Sequence, residues 1–113
     1  NVPVSVFNWY DKGFLAALAD CDLLVNCTPL GMLPGTESTP PVNWKALQGS
    51  SIVCDLIYNP LTTRFLAEAV ERNHRIVTGD GMLVEQGALA FELWTGQPAP
   101  RSVMYQAFSK ILG

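Results

Sequence analysis

Three short apolar runs, each opening into a loop, constrain this chain more than any other feature. They are Leu23–Cys27 (LLVNC), Ser51–Ile57 (SIVCDLI) and Arg75–Thr78 (RIVT). Runs that are apolar at consecutive positions, not alternate ones, mark strands covered on both faces, and such strands belong to parallel sheets. Helical patterns separate them. Asp11 is placed to cap a helix running to about Ala19, with Phe14, Leu15 and Leu18 on one face. Thr62 or Thr63 caps another to about Asn73, with Phe65, Leu66, Ala69 and Val70 inward. Met82–Thr95 is a third, and Ser102–Leu112 a closing amphipathic one with Val103, Met104, Ala107, Phe108 and Ile111 inward. Val4–Phe7 (VSVF) reads as a first short strand, and Trp44–Leu47 as a single helical turn. The alternation predicts an α/β fold with a mainly parallel sheet, its right-handed crossovers laying helices on both faces.

Composition fits one such domain. Of 113 residues, 49% are hydrophobic and 15% charged, enough for a core and too apolar for disorder. The formal charge is -3 and the Lys and Arg residues are scattered, so no nucleic-acid surface is expected. No stretch is long and apolar enough to span a membrane, and no secretory signal precedes VSVF. Cys21, Cys27 and Cys54 are not spaced as a zinc site and sit mostly in apolar runs, which predicts a reduced, cytoplasmic setting and no metal. The chain starts at Asn1 without an initiating Met, almost directly on a strand, as expected of a truncated protein.

Ligands of open parallel sheets bind outside the carboxyl ends of the strands. That rule singles out three loops. In NCTPLGM (Asn26–Met32), Asn26 and Thr28 offer an amide and a hydroxyl, and Gly31 allows close backbone approach; the spacing alone favours a plain loop leaving the sheet. In DLIYNP, Asp55 lies inside an apolar strand and is expected to accept hydrogen bonds from a neighbouring loop. Tyr58 leaves that strand at the crevice, either to donate to a ligand or to pack on the rim. In GDGMLVEQ, Asp80 is a candidate N-cap, while Met82 and Gln86 share a helix face. Gln86 suits a ligand with neighbouring hydroxyls, or satisfies a backbone carbonyl. The lone His74 is expected to be a solvated helix-end residue, and no Ser-His-Asp set or close carboxylate pair is evident.

DLLVNCTPLGM (Asp22–Met32), CDLIYNPLTTRFLAEA (Cys54–Ala69) and GDGMLVEQGALAFELWTG (Gly79–Gly96), in this order, resemble the C-terminal part of shikimate dehydrogenase. Quinate/shikimate dehydrogenases are similar here. The resemblance implies a truncated Rossmann-like, doubly wound sheet with flanking helices. It implies that residues 1–113 are part of an NADP-binding domain, with 79–113 returning as helices to a substrate cleft. The implied activity is NADP-dependent reduction of 3-dehydroshikimate to shikimate, in aromatic amino acid biosynthesis. By similarity Asn26, Thr28, Leu56, Gly79 and Met82 border the cofactor, and Tyr58 and Gln86 the substrate. The glycines are expected to let the nicotinamide approach the chain.

The family's catalytic Lys–Asp pair has no matching segment, for Lys12, Lys45 and Lys110 stand in other contexts. The Gly-rich phosphate turn and the segment that selects the ribose phosphate are also unmatched. No catalytic residue is therefore assigned, and residues 1–113 alone are expected to be inactive. In the order 3-2-1-4-5-6, VSVF resembles strand 3 and LLVNC strand 4. The strands that normally separate them are missing, so Leu23–Cys27 is expected to present an open edge prone to self-association. The alternative reading is a non-catalytic α/β half-domain that assembles with a partner or binds a nucleotide weakly. A flavodoxin-like domain is disfavoured, since no phosphate loop follows the first strand.

Overall fold

The computed structural model describes residues 1–112. In chain order its elements are α1 (Lys12–Asp20), β1 (Leu23–Asn26), β2 (Ile52–Asp55), α2 (Arg64–Glu71), β3 (Ile76–Val77), α3 (Asp80–Thr95) and α4 (Arg101–Leu112). The strands form one parallel sheet in the order β1-β2-β3. All three carboxyl ends therefore lie along one border.

Register decides what each sheet face carries. Leu24, Val53 and Ile76 form one row and Val25, Cys54 and Val77 the next. The first row faces the core, where Val53 is buried with Leu18, Leu47, Phe65, Leu66 and Ala69. Phe14, Leu24 and Ile76 pack around that cluster. The second row stays open, with Val25 36% and Val77 49% exposed. The expected cover on both faces is thus half met. Residues of α1 and α2 fill one side, whereas α3 and α4 pack chiefly on each other. The apolar runs do not distinguish a face covered by this chain from one left for other chain to cover.

VSVF is not a strand. Val2, Val4 and Val6 are more than four-fifths exposed and no described strand pairs with them. Without a ladder neighbour, a β-branched run has no hydrogen bonds to hold it extended. Val70 (51%), Val103 (60%) and Ile111 (80%), expected inward, are also exposed.

Local signals act as their chemistry requires. Thr63 caps α2, its hydroxyl accepting from the Leu66 N–H at 3.3 Å. Gly96 ends α3 in the left-handed region at φ 68° and returns its N–H to the Glu92 carbonyl. Asp11 precedes α1 but its carboxylate accepts from Asn8 N–H instead of capping the helix. Asp80 lies within the first turn of α3, which Gly79 precedes. His74 corrects the sequence reading, since it is buried, with Nδ1 2.9 Å from the Ser51 carbonyl and its ring 6.1 Å from Trp44. Its burial is a tertiary effect. Trp44 packs on Phe65 and hydrogen-bonds Glu68, closing a wall over the imidazole.

Candidate functional site

A buried polar knot ties the carboxyl ends of β1 and β2. Asp55 is fully buried. Its Oδ1 accepts from the Asn26 amide at 3.2 Å and from the Ile57 N–H at 3.0 Å, and its Oδ2 from the Thr63 hydroxyl at 2.6 Å. A carboxylate carrying that many donors is stable away from water. The knot thus joins β1, β2 and the cap of α2, rather than capping loop amides alone.

Asn26 spends its whole hydrogen-bonding capacity here. Its amide donates to Asp55 and to the Leu30 carbonyl, while its oxygen accepts from the Thr28 N–H at 3.0 Å and the Thr28 hydroxyl at 2.6 Å. The Thr28 hydroxyl also accepts from the Leu30 N–H. Loop 26–30 is fixed by side chains that close on their own backbone. Gly31 follows at φ 103°, a conformation that other residues seldom adopt, and its N–H donates to Ser38.

In front of the knot lies a cleft of about 510 Å³, bordered by Cys27, Thr28, Met32, Leu56, Tyr58 and Asn59 among others. This volume falls within the range of small-molecule sites. Among the described residues no charged side chain lines it. Tyr58 is 41% exposed and meets Phe108 of α4 edge to face, ring centres 6.2 Å apart at 69°. On the core side of β1, Asn26, Cys27 and Thr28 also border a smaller apolar groove of about 240 Å³. Burial, then the Asp55 charge, then Cys27, push the Cys54 thiol above its ordinary range, so it stays protonated.

Of the seven residues singled out from sequence, Thr28, Leu56 and Tyr58 border one cleft, with Asn26 immediately beneath. Gly79, Met82 and Gln86 do not line it. Gly79 abuts its floor: a side chain there would stand 2.7 Å from the Leu56 carbonyl oxygen, and closer still to that of Ile57. The glycine is therefore demanded by the chain's own packing, whatever else approaches it. Met82 is 42% exposed on α3. Gln86 is exposed and donates to the Leu83 carbonyl of its own helix at 2.9 Å. Sequence reasoning missed Thr63 as a partner of Asp55, although both stand beside the same turn. It also read Phe108 only as a core residue.

A parallel sheet with its cleft along the carboxyl border is the Rossmann-like arrangement. Residues 79–107 match the family model described as "Shikimate 5'-dehydrogenase C-terminal domain". The shikimate dehydrogenase (NADP(+)) of Methanopyrus kandleri is 52% identical over 80% of this chain and 31% of its own length. Shikimate 5-dehydrogenase from Thermus thermophilus, solved with NADP(H) and shikimate, is 38% identical with a TM-score of 0.74, over 85% of this chain and 36% of that one. Quinate dehydrogenase from Corynebacterium glutamicum, solved with NAD, is 30% identical with a TM-score of 0.75, over 88% and 34%. In sequence and in fold the chain is similar to part of the shikimate dehydrogenases. It spans about a third of the length of the curated relatives it matches.

Proposed function

We propose that this chain supplies the nicotinamide side of the cleft, and two helices returning to it, in an NADP-dependent shikimate dehydrogenase acting in the cytoplasm. The observation that carries the reading is the convergence of Thr28, Leu56 and Tyr58, from two neighbouring strand ends, on one uncharged cleft above a rigid polar knot. Such a cleft suits a flat nicotinamide ring and its ribose. Its described walls carry no charged side chain for the phosphates. Thr28 and Leu56 flank the cofactor, while Asn26 acts behind them by fixing the loop. Gly79 and Met82 bring the start of α3 alongside. When bound, the reduced nicotinamide supplies hydride to the carbonyl carbon of 3-dehydroshikimate. The proton for the oxygen comes from outside these residues.

Tyr58 and Gln86 orient the substrate ring. The phenol is free to donate from the cleft rim. Gln86 must release the Leu83 carbonyl and turn, which its exposure allows. Holding the reacting carbons in contact is the chief contribution asked of such groups, on the order of several kcal/mol. Uncharged groups do this without a buried unpaired charge.

The test replaces the matching third of the Methanopyrus kandleri enzyme with residues 1–113 and follows shikimate-dependent NADP reduction. The chimera is expected to turn over and residues 1–113 alone are not. Tyr58→Phe and Gln86→Leu are each expected to raise KM for shikimate about tenfold, the worth of one hydrogen bond. A folded chimera without activity overturns the proposal, as does turnover by the 113 residues alone. Preference for quinate and NAD in the same assay substitutes a quinate dehydrogenase reading.

A further inference from the structure

We infer that Phe108 is a positioning residue for Tyr58, and that Arg101 sets it in place from the far end of α4. The inference rests on the reading of Tyr58 as a substrate-facing group and adds residues to that site. Tyr58 follows β2 on a loop and is 41% exposed, so its own segment gives the ring little support. Among the described residues the aromatic ring against it is Phe108, edge to face, a geometry favoured by the ring quadrupoles. A phenol that must donate from a fixed point needs its ring held, and an edge-on neighbour holds it without competing for the hydroxyl.

Phe108 is placed by a stripe of α4 contacts. Arg101, Met104, Tyr105 and Phe108 recur at the three- and four-residue spacing of one helix face. Met104 lies against Gly87, where an added side chain would meet its methyl at 3.3 Å, and the Tyr105 hydroxyl lies over Gly81. At the start of the stripe Arg101 closes the α3–α4 hairpin. Its Nε donates to both oxygens of Glu85 at 3.1 Å, and its terminal nitrogens reach the two oxygens of Glu92 at 3.0 and 3.4 Å. The Ala99 N–H also donates to Glu92. A planar guanidinium gripped by two carboxylates fixes direction as well as distance. Rotation of α4 is thereby restrained at one end, and Phe108 is delivered to Tyr58 at the other.

Fluorotyrosine labelling tests this on the 113-residue chain. Tyr10, Tyr58 and Tyr105 give three fluorine signals, assigned by Tyr→Phe variants. Phe108→Leu is expected to shift the Tyr58 signal and leave Tyr10 unmoved. Arg101→Gln is expected to shift it in the same direction, and Phe108→Tyr, which adds a fourth signal, to leave that of Tyr58 near its wild-type position. An unmoved Tyr58 signal in folded Phe108→Leu overturns the inference. If that variant loses α4 by circular dichroism, the signal in Arg101→Gln decides. In the chimera, Phe108→Leu is expected to raise KM for shikimate about threefold to tenfold, with KM for NADP unchanged and Phe108→Tyr near wild type. Equal losses in both KM values assign Phe108 a structural role only and overturn the inference. A wild-type chimera without activity defeats the proposed function instead, and the fluorine signals still decide whether Phe108 holds the ring.

Discussion

Asp55 shows how one residue legible in the sequence gains its meaning only from neighbours. An acid inside an apolar run had to be satisfied, and that much follows from its type. Which donors satisfy it does not, because Asn26 lies 29 positions away and Thr63 belongs to the next helix. Removing the carboxylate strands three donors at once. Asp55→Ala is therefore expected to destabilise the fold by about 3–5 kcal/mol, from about 1–3 per orphaned group with some relief by water. Urea midpoints check this, and a loss under about 1 kcal/mol would show the knot to be dispensable. His74 is the converse case. A lone histidine beside a helix end reads as solvated, yet Trp44, from a loop thirty positions earlier, buries it. Nothing in the local pattern announces such a wall. Gln86 was likewise legible as an amide with a partner, but the partner is its own helix carbonyl.

At the scale of elements, apolar runs and caps mark β1, β2, α2 and α3 because each depends on its own residues. Contacts between elements were less visible. Gly79 is the clearest instance, read as room for a ligand and found against the backbone of residues 56 and 57. Gly79→Ala is expected to push the start of α3 off the strand end, costing roughly 1–3 kcal/mol as overpacked sites do. A thermal melt measures it, and an unchanged Tm would mean the helix start yields freely. The α3–α4 hairpin carries its own pH signature. Hydrogen bonds from Arg101, then from Ala99, hold the Glu92 carboxyl below its usual range, while Glu92 and Glu85 raise Arg101. A depressed acid stabilises the fold fully above its unfolded pKa, near 4.3, and loses that contribution as pH falls through the lower folded value. Arg101 is charged throughout, so it adds no slope. Melting temperature is therefore expected to hold from neutral pH to about 5 and then decline. Glu92→Gln should remove part of that decline, whereas identical profiles for the two proteins would exclude the clasp as its source.

For the whole molecule, the open edge and face of the three-stranded sheet govern behaviour. β1 has β2 on one side and no strand on the other among the described residues. Leu23 is 55% and Val25 36% exposed, and Val77, in the same row as Val25 and Cys54, is 49% exposed. Free N–H and C=O groups along an apolar edge are a template for pairing. Relatives about three times as long have further chain available to cover that edge and face. Taken by themselves, these 113 residues have only a second copy. VSVF does not cover that edge either, although it is β-branched and nearby in sequence, for no described strand pairs with it and its valines are exposed. The isolated chain is accordingly expected to self-associate, its sedimentation coefficient rising with concentration. Val25→Lys puts a charge on the open face at the edge strand, and is expected to hold the protein monomeric without unfolding it, since residue 25 points away from the core. Wild-type chain that sediments as one species at every concentration would show that the edge is blunted by some other means, and that the open face alone does not drive association.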